Sequence, residues 1–411
     1  MRRLDNWLEA YMAYNENSEP PKLYHKWVAV SVVAAALRRK VHLQWGTLTF
    51  YPNFYVVLVG PPGKCRKGTA MGPGYDLLRQ VGIPMAAESI TREALIRELK
   101  SVSDSQVNPA GGTISMHSSL TIFSPELTVF LGYNNHQLMS DLTDWFDCRE
   151  RWTYRTKNMG TDDITGVFVN LIGATTPDLI QSTLPIDAIG GGLTSRMIFV
   201  YAEKKYKTVP FPFVTPEMVT IKQHLVMDLE QISMMQGVFR ATSAFSSLWD
   251  TWYRAQEDNP PFDDPRLAAY IERRPTHILK LSIIMSVFRD KKMEFILHEC
   301  DLLNAIALLE ETEKEMGKTF GGVGKAQHAD LASKLLAYLG NNGEVPRSTL
   351  MNYFIRDIDI SGLDLLLGTL EASRAIKRRI TAEDTYVRLV YKADGSHLLH
   401  SNFEDSDGGT N

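Results

Sequence analysis

The chain has 411 residues, 44% apolar and 22% charged, with 44 Lys+Arg against 48 Asp+Glu for a formal net charge of −4. This is the profile of a soluble globular protein with room for two or three domains and a large core. It excludes a polycation that binds nucleic acid by bulk charge, so any such contact must come from local patches or an inner channel.

Residues 1–46 read as helical in two pieces, an N-terminal helical collar. Asp5 stands where it can cap NWLEAYMAY, and Glu19-Pro20-Pro21 breaks the pattern before the second helix. That second piece holds the most apolar stretch, WVAVSVVAAAL at 27–37, whose 11 residues fall short of the ~20 a membrane span needs. We read it as a buried helix, expect no membrane partner and place the protein in the cytoplasm. The scattered Cys65, Cys148 and Cys300 have neither metal spacing nor a disulfide framework, which suits a reducing compartment.

Next, YPNFYVVLVG brings an apolar strand into a glycine loop, and TAMGPGYDLLRQVG follows as a short helix. GIPMAAES is expected as a second strand, TREALIRELKSV as a capped helix and LTIFSPEL as a third strand. VFVNLIGATTP (167–177) and MIFVYAE (197–203) supply a fourth and a fifth. Apolar strands alternating with helices predict an α/β fold, a parallel sheet covered on both faces across residues 47–210. Residues 211–320 turn mostly helical and FGGVGKAQ (320–327) reads as a linker. Residues 327–393 then offer three helices and a hairpin, the plan of a winged helix, before a polar tail at 394–411 that is expected to be disordered.

The loop GPPGKCRKGT occupies residues 60–69. A phosphate loop turns successive backbone N–H groups and a helix start toward the anion while a lysine spans the outer phosphates. The pattern G-x-x-x-x-G-K-[ST], counted from Gly60, puts its lysine at Arg66 and the glycine before it at Cys65. One inserted residue restores the chemistry: Lys67 becomes the cation and Thr69 the Mg²⁺-binding hydroxyl. Pro61, Pro62, Gly63, Lys64, Cys65, Arg66 and Gly68 then complete the cradle. The rival register makes Arg66 the cation and leaves no hydroxyl directly after it. A purely structural turn is the third reading.

Hydrolysis also needs a carboxylate to polarise water, with another usually near the metal. Glu126 ends LTIFSPEL, where such a group should lie and where it could share the Mg²⁺ with Thr69. Ser124-Pro125 replace the usual preceding aspartate, and the alternative is a plain helix-start glutamate. Asp144 and Asp147 could assist, or could pair with Arg149 and Arg151. Asn170, inside an apolar strand, must find a hydrogen-bond partner: either the attacking water or neighbouring backbone. Arg196, after IGGGLTSR, could face a neighbouring subunit's γ-phosphate or form an ion pair. Arg273 and Arg274 open the helix RRPTHILKLSIIM, with Pro275 suited to its first turn, and one of them could reach the nucleotide. The module at 325–393 carries 10 Lys+Arg against 8 Asp+Glu, with Arg374, Lys377, Arg378 and Arg379 at the hairpin. It could touch phosphates or dock a protein. His25, His117, His136 and His277 form no ligand pattern.

NSEPPKLYHKWVAVSVVAAALRRKV, the loop and its flanks, SPELTVFLG, LTDWFDCRERWTYRTKNMGT and NLIGATTPDLIQSTLPIDAIGGGLTSRMIFVY together resemble a helicase-like ATPase family of phages and mobile genetic elements, over roughly residues 5–320. The order of motifs is similar to AAA+ ring helicases of the superfamily 3 and MCM kind. The family's loop is of the GPPGxxRK[ST]T type, from which Gly68 departs. The resemblance implies an AAA+/RecA-like P-loop NTPase core binding ATP and Mg²⁺ through Gly60, Gly63, Lys67 and Thr69. Glu126 would be the Walker B glutamate, Asn170 the sensor, Arg196 a trans arginine finger and Arg274 a second sensor. It further implies a ring-forming homo-oligomer, a hexamer, translocating on single-stranded DNA during replication of a mobile genome, in the host cytoplasm if phage-encoded and beside a separate primase or polymerase. Lys157 and Arg155 are candidate pore contacts. A nucleotide-gated origin-binding or assembly protein without unwinding is the alternative, and a scaffold with a relic loop a third.

Overall fold

The computed structural model describes residues 2–107, 114–132, 135–156, 160–183, 191–262, 264–320, 329–355, 357–381 and 384–390. The chain is a mixed α/β protein that divides into two compact units, Met1–Val323 and Gly324–Asn411. The expected tail, and the expected linker after Phe320, lie outside the described residues.

The first unit opens with α1 (Trp7–Tyr14) and α2 (Lys22–Leu37). Asn6, not Asp5, caps α1: its side chain accepts from the N–H groups of Leu8 and Glu9, while Asp5 pairs with Lys291. Asn6 immediately precedes the first helical residue and has the extended backbone a cap requires. In α2 every residue from Trp27 to Leu37 is buried, as expected of a helix apolar all round. The segment to residue 46 is not helical throughout. β1 (Val41–Trp45) and β2 (Leu48–Phe50) form a hairpin, and β1 also pairs with the later β10.

β3 (Tyr55–Val59) is buried along its whole length and leads through the loop into α3 (Lys67–Val81). The expected strand at GIPMAAES contracts to a single parallel bridge, Met85 to Thr121. Pro84 has no N–H with which to extend a ladder. α4 (Arg92–Ser101), capped by Thr91, and β4 (Ser103–Val107) precede β5 (Ile114–Ser124). Then come α5 (Leu127–Leu131), α6 (His136–Phe146), the hairpin of β6 (Arg151–Thr156) and β7 (Gly160–Thr165), β8 (Val167–Thr175), α7 (Pro177–Thr183) and β9 (Met197–Tyr201).

The central sheet runs β4-β5-β8-β3-β9, parallel except for β4. Alternation along β8 shows that both faces are covered. Asn170 meets Ser31 of α2, whereas a Cβ on Gly173, three residues on, would lie 2.9 Å from Leu127 of α5. Continuous apolar strands are what such double coverage requires, and each fully buried Val, Leu or Ile side chain contributes about 1.5–3 kcal/mol.

α8 (Pro216–Ser233), β10 (Gly237–Ala241), α9 (Ser243–Asp258), α10 (Ala268–Arg289), β11 (Ile296–Leu297) and α11 (Glu299–Met316) complete the first unit, with a small sheet β11-β10-β1-β2. Pro275 lies inside α10 rather than in its first turn, so Arg273 and Arg274 do not open that helix. Buried Leu267 and Tyr270 anchor the preceding turn and carry the helix through the proline.

The second unit contains α12 (Ala329–Asn342), β12 (Val345–Pro346), α13 (Arg347–Phe354), α14 (Ile360–Ala372) and the hairpin β13 (Ile376–Ile380)–β14 (Thr385–Leu389), with sheet order β12-β14-β13. Its own core includes Leu335, Leu350, Phe354, Leu363, Leu367 and Val387. Among the described residues no helix is long and apolar enough to cross a membrane.

Candidate functional site

The loop leaves the carboxyl end of β3, flanked there by β8 and β9. Gly60 N–H reaches Thr175 O at 3.4 Å, and Ala202 N–H reaches Val59 O at 3.0 Å. No larger residue fits at 60, where a Cβ would lie 2.5 Å from Ala202 O and 2.8 Å from both the Cys65 thiol and the Tyr24 hydroxyl. Tyr24 anchors the strand end by donating to Val59 O at 2.6 Å, and Cys65 is buried with its Sγ 3.0 Å from Ala202 O. The cysteine in the glycine's place therefore forms the floor of the loop, and burial pushes its thiol up from the usual value. Gly63 turns the chain at φ +69°, and Arg66 adopts a left-handed conformation as the residue before α3.

At the start of α3 consecutive side chains go different ways. Arg66 Nε donates to Glu19 Oε2 at 2.9 Å, away from the loop's interior, whereas Lys67 Nζ donates to Gly60 O at 2.6 Å. Of the two registers open in the sequence, the geometry places Lys67 within the loop. Burial lowers the Lys67 ammonium from its ordinary value, against the pull of nearby Cys65 and Glu126. Glu126, exposed at the start of α5 just past β5, is thus brought close enough to interact with Lys67. Ala70 N–H makes the first bond of α3, to Arg66 O. Among the described residues nothing accepts from the N–H groups of Gly63, Arg66, Lys67, Gly68 and Thr69. These are the donors a helix start leaves open, extended here by the loop, and Pro61 and Pro62 have none to offer. Thr69 is exposed one turn into the helix.

No protein-family model matches the chain, and no curated protein matches it. The site must therefore be read from its own geometry.

Asn170 does not reach this site. It is fully buried, level with Phe54 at the opposite end of β3; its Oδ1 accepts from Phe54 N–H at 3.0 Å and its Nδ2 donates to Ser31 O and Oγ at 3.1 Å. An amide so engaged holds α2 to the sheet, and the sensor expectation is corrected on that ground. The polar groups that β8 does bring beside Gly60 are Thr175 and Thr176, where the strand emerges between the loop strand and the Glu126 strand. The ATTP that ends the apolar run was the available sequence signal.

Arg196 is corrected likewise. Its guanidinium is 8% exposed and turned inward, donating to Asp147 Oδ2 at 2.7 Å and Gly192 O at 2.7 Å, with Arg273 sharing the same carboxylate at 3.5 Å. Asp144 pairs with Arg149, as one reading of the sequence allowed, and Asp147 with Arg196 and Arg273, while Arg151 pairs with Asp163. Arg274 is buried with two bonds to Glu313, at 2.7 and 2.9 Å, and stacks over Trp252. With Trp252, Phe262 and Lys314 it lines a cavity of about 530 Å³ that includes no loop residue, so it is not placed as a nucleotide contact.

Arg155 is exposed on β6, while Lys157 lies outside the described residues. In the second unit Arg347, Arg378 and Arg379 are paired with Asp364, Glu371 and Glu344. The exposed positions of α14 are Ile360, Ser361, Asp364, Leu365, Thr369 and Ala372, none of them a cation. Among the described residues no group of three or more His, Cys, Asp or Glu side chains could hold a metal.

Proposed function

We propose that the first unit is an AAA+/RecA-like P-loop ATPase module and that the chain is an ATP-dependent DNA helicase of a phage or mobile element. In this reading a homo-oligomeric ring, a hexamer, translocates on single-stranded DNA, and the second unit is a winged helix. The observation that carries the proposal is the start of α3. The N–H groups of Gly63, Arg66, Lys67, Gly68 and Thr69 make no bond among the described residues, and the Lys67 ammonium bonds the loop's own carbonyls, at the carboxyl end of β3. That is where open α/β sheets bind ligands, at the point where successive strands go to opposite sides of the first, and a helix N-terminus there favours an anion.

The donor set fits Mg-ATP. A phosphate-bound Mg²⁺ takes most of its ligands from phosphate oxygens and water, so a hydroxyl from Thr69 with one carboxylate, Glu126, is enough protein chemistry to hold it. Lys67 would exchange Gly60 O for phosphate oxygens. Glu126 would take the proton of the attacking water as its oxygen bonds to the γ-phosphorus and the bond to the β-phosphate oxygen breaks, giving ADP and phosphate. Arg155, on the hairpin that precedes β8, is the exposed cation we assign to the DNA strand. A separate primase or polymerase would complete replication.

The partnered states of Asn170 and Arg196 favour a second reading, a nucleotide-gated origin-binding or assembly protein without unwinding. Mg-ATP turnover measured with and without single-stranded DNA, beside unwinding of a forked duplex, separates the two. DNA-stimulated turnover with unwinding supports the motor, and binding with negligible turnover supports the switch. A chain that binds no Mg-ATP sinks both.

A further inference from the structure

Glu19 has no part in the chemistry outlined above, yet it is the carboxylate that Arg66 meets. It stands just before Pro20-Pro21, where α2 begins, and its carboxylate is 17% exposed with three donors on it. Arg66 Nε lies 2.9 Å from one oxygen; Lys205 Nζ at 2.6 Å and Val209 N–H at 3.2 Å share the other. Its backbone carbonyl accepts from Tyr206 N–H at 2.9 Å. One glutamate thus fastens the residue before α3 to the 205–209 strap that follows β9. The bonds from Lys205, Val209 and then Arg66 pull its carboxyl down to about 2, so it stays ionised at any pH at which the protein would work.

Arg66 is only one residue from Lys67 and carries the stronger phosphate ligand. A guanidinium grips phosphate oxygens through a planar fork, whereas an ammonium is a compact charge that follows them. We infer that Glu19 is a positioning residue of the nucleotide site, holding Arg66 out of the phosphate cradle so that Lys67 alone meets the outer phosphates. The inference rests on the reading of residues 60–69 as that cradle. A freed Arg66 grips the ground-state triphosphate as firmly as the transition state. Such uniform binding lowers KM without helping the chemical step, and it holds the phosphates away from Lys67.

The test is a double-mutant cycle on the full chain with Mg-ATP. Glu19→Ala should lower KM and kcat together, each by about 5- to 10-fold. Arg66→Ala serves as the reference background, in which adding Glu19→Ala should cost no further kcat. Glu19→Gln, which keeps an acceptor for Val209 N–H but lacks the charge, should move in the same direction, and it carries the test if Glu19→Ala does not fold. If the chain binds without turnover, the same cycle is read in Kd: tighter for Glu19→Ala, reversed by Arg66→Ala. A merely structural Glu19 would lower kcat without lowering KM, and no second substitution at Arg66 would rescue it; that result overturns the inference alone. A wild-type chain that binds no Mg-ATP overturns the cradle reading and the inference with it.

Discussion

Toward the amino ends of β3 and β8, buried polar side chains brace the sheet, although His277 Nδ1 and Trp145 Nε1 have no partner there. Asn170 serves Phe54 and Ser31, and Lys280 gives its ammonium to Asn53 Oδ1 at 2.8 Å over the ring of Phe146. Past the carboxyl end of β3, five backbone donors have no acceptor among the described residues and Lys67 bonds its own loop carbonyls. Burying polar groups without partners costs free energy, whereas donors left open on an exposed loop remain available to water or a ligand. The contrast separates side chains that hold the sheet together from those available for chemistry, and it does so without reference to any other protein.

The sharpest way to break the contrast is at Lys67. Lys67→Ala should cost at least ~100-fold in ATP turnover, about 3 kcal/mol of transition-state stabilisation, while the urea midpoint hardly moves. Should Arg66→Ala abolish turnover while Lys67→Ala does not, the register and the assignment of the cradle's cation are both wrong. Asn170→Ala should do the reverse, costing about 3 kcal/mol of stability by leaving Phe54 N–H and the Ser31 groups without partners. Equilibrium denaturation of the two variants side by side reads both effects.

What could be read from the sequence followed backbone logic. The parallel strands came from continuous apolar runs, and the loop from glycines between a strand and a helix. Lys67 was preferred because only that register leaves a hydroxyl at Thr69, and Glu126 because it ends a strand. What the sequence could not reveal depended on which way a side chain turns. Asn170 in an apolar strand is equally consistent with a sensor and a brace, and a single strand does not say which helix lies over it. Arg196 after a glycine run suggested an exposed finger; the fold supplied Asp147, 49 residues earlier in the chain. Glu19 carried no signal beyond a break before two prolines, because its partners at 66, 205 and 209 meet only in three dimensions. The β1–β2 hairpin is hard to see in the sequence although VHLQW alternates, because strands of five and three residues directly follow a long apolar helix.

Acid should bear on the braced interior before the loop. His277 is fully buried, with Nε2 donating to Ser195 O at 3.2 Å, and burial lowers it to about 3; His25 and His117 are lowered to about 4 for the same reason. Each folded value lies below the ordinary 6.5, so the unfolded chain takes up the proton first. Stability is whole above about pH 6.5 and is lost as pH falls toward 4, at about 1.4 kcal/mol per pH unit for each histidine. At pH 5 His277 alone should remove about 2 kcal/mol. Denaturation curves at pH 7.5 and 5.0 test this, and His277→Phe should flatten the dependence. A stability independent of pH over that range would mean that these rings are not held neutral in the fold.

The smallest expected effect opposes exposed charge to paired charge. Arg155 is exposed on β6 with no ion pair among the described residues, whereas Arg378 and Arg379 are occupied by Glu371 and Glu344. A phosphate contact made by Arg155 releases about 0.7 of a counterion from single-stranded DNA, and its loss should flatten the salt dependence of binding by that amount. Arg379→Ala should leave the slope alone: a guanidinium already neutralised by a carboxylate must break that pair before it can displace a counterion, and the exchange returns little. If the Arg379 variant flattens the slope and the Arg155 variant does not, the second unit holds the DNA and its carboxylates act as placeholders for phosphate. The β6–β7 hairpin would then belong with the braced interior rather than with the working surface.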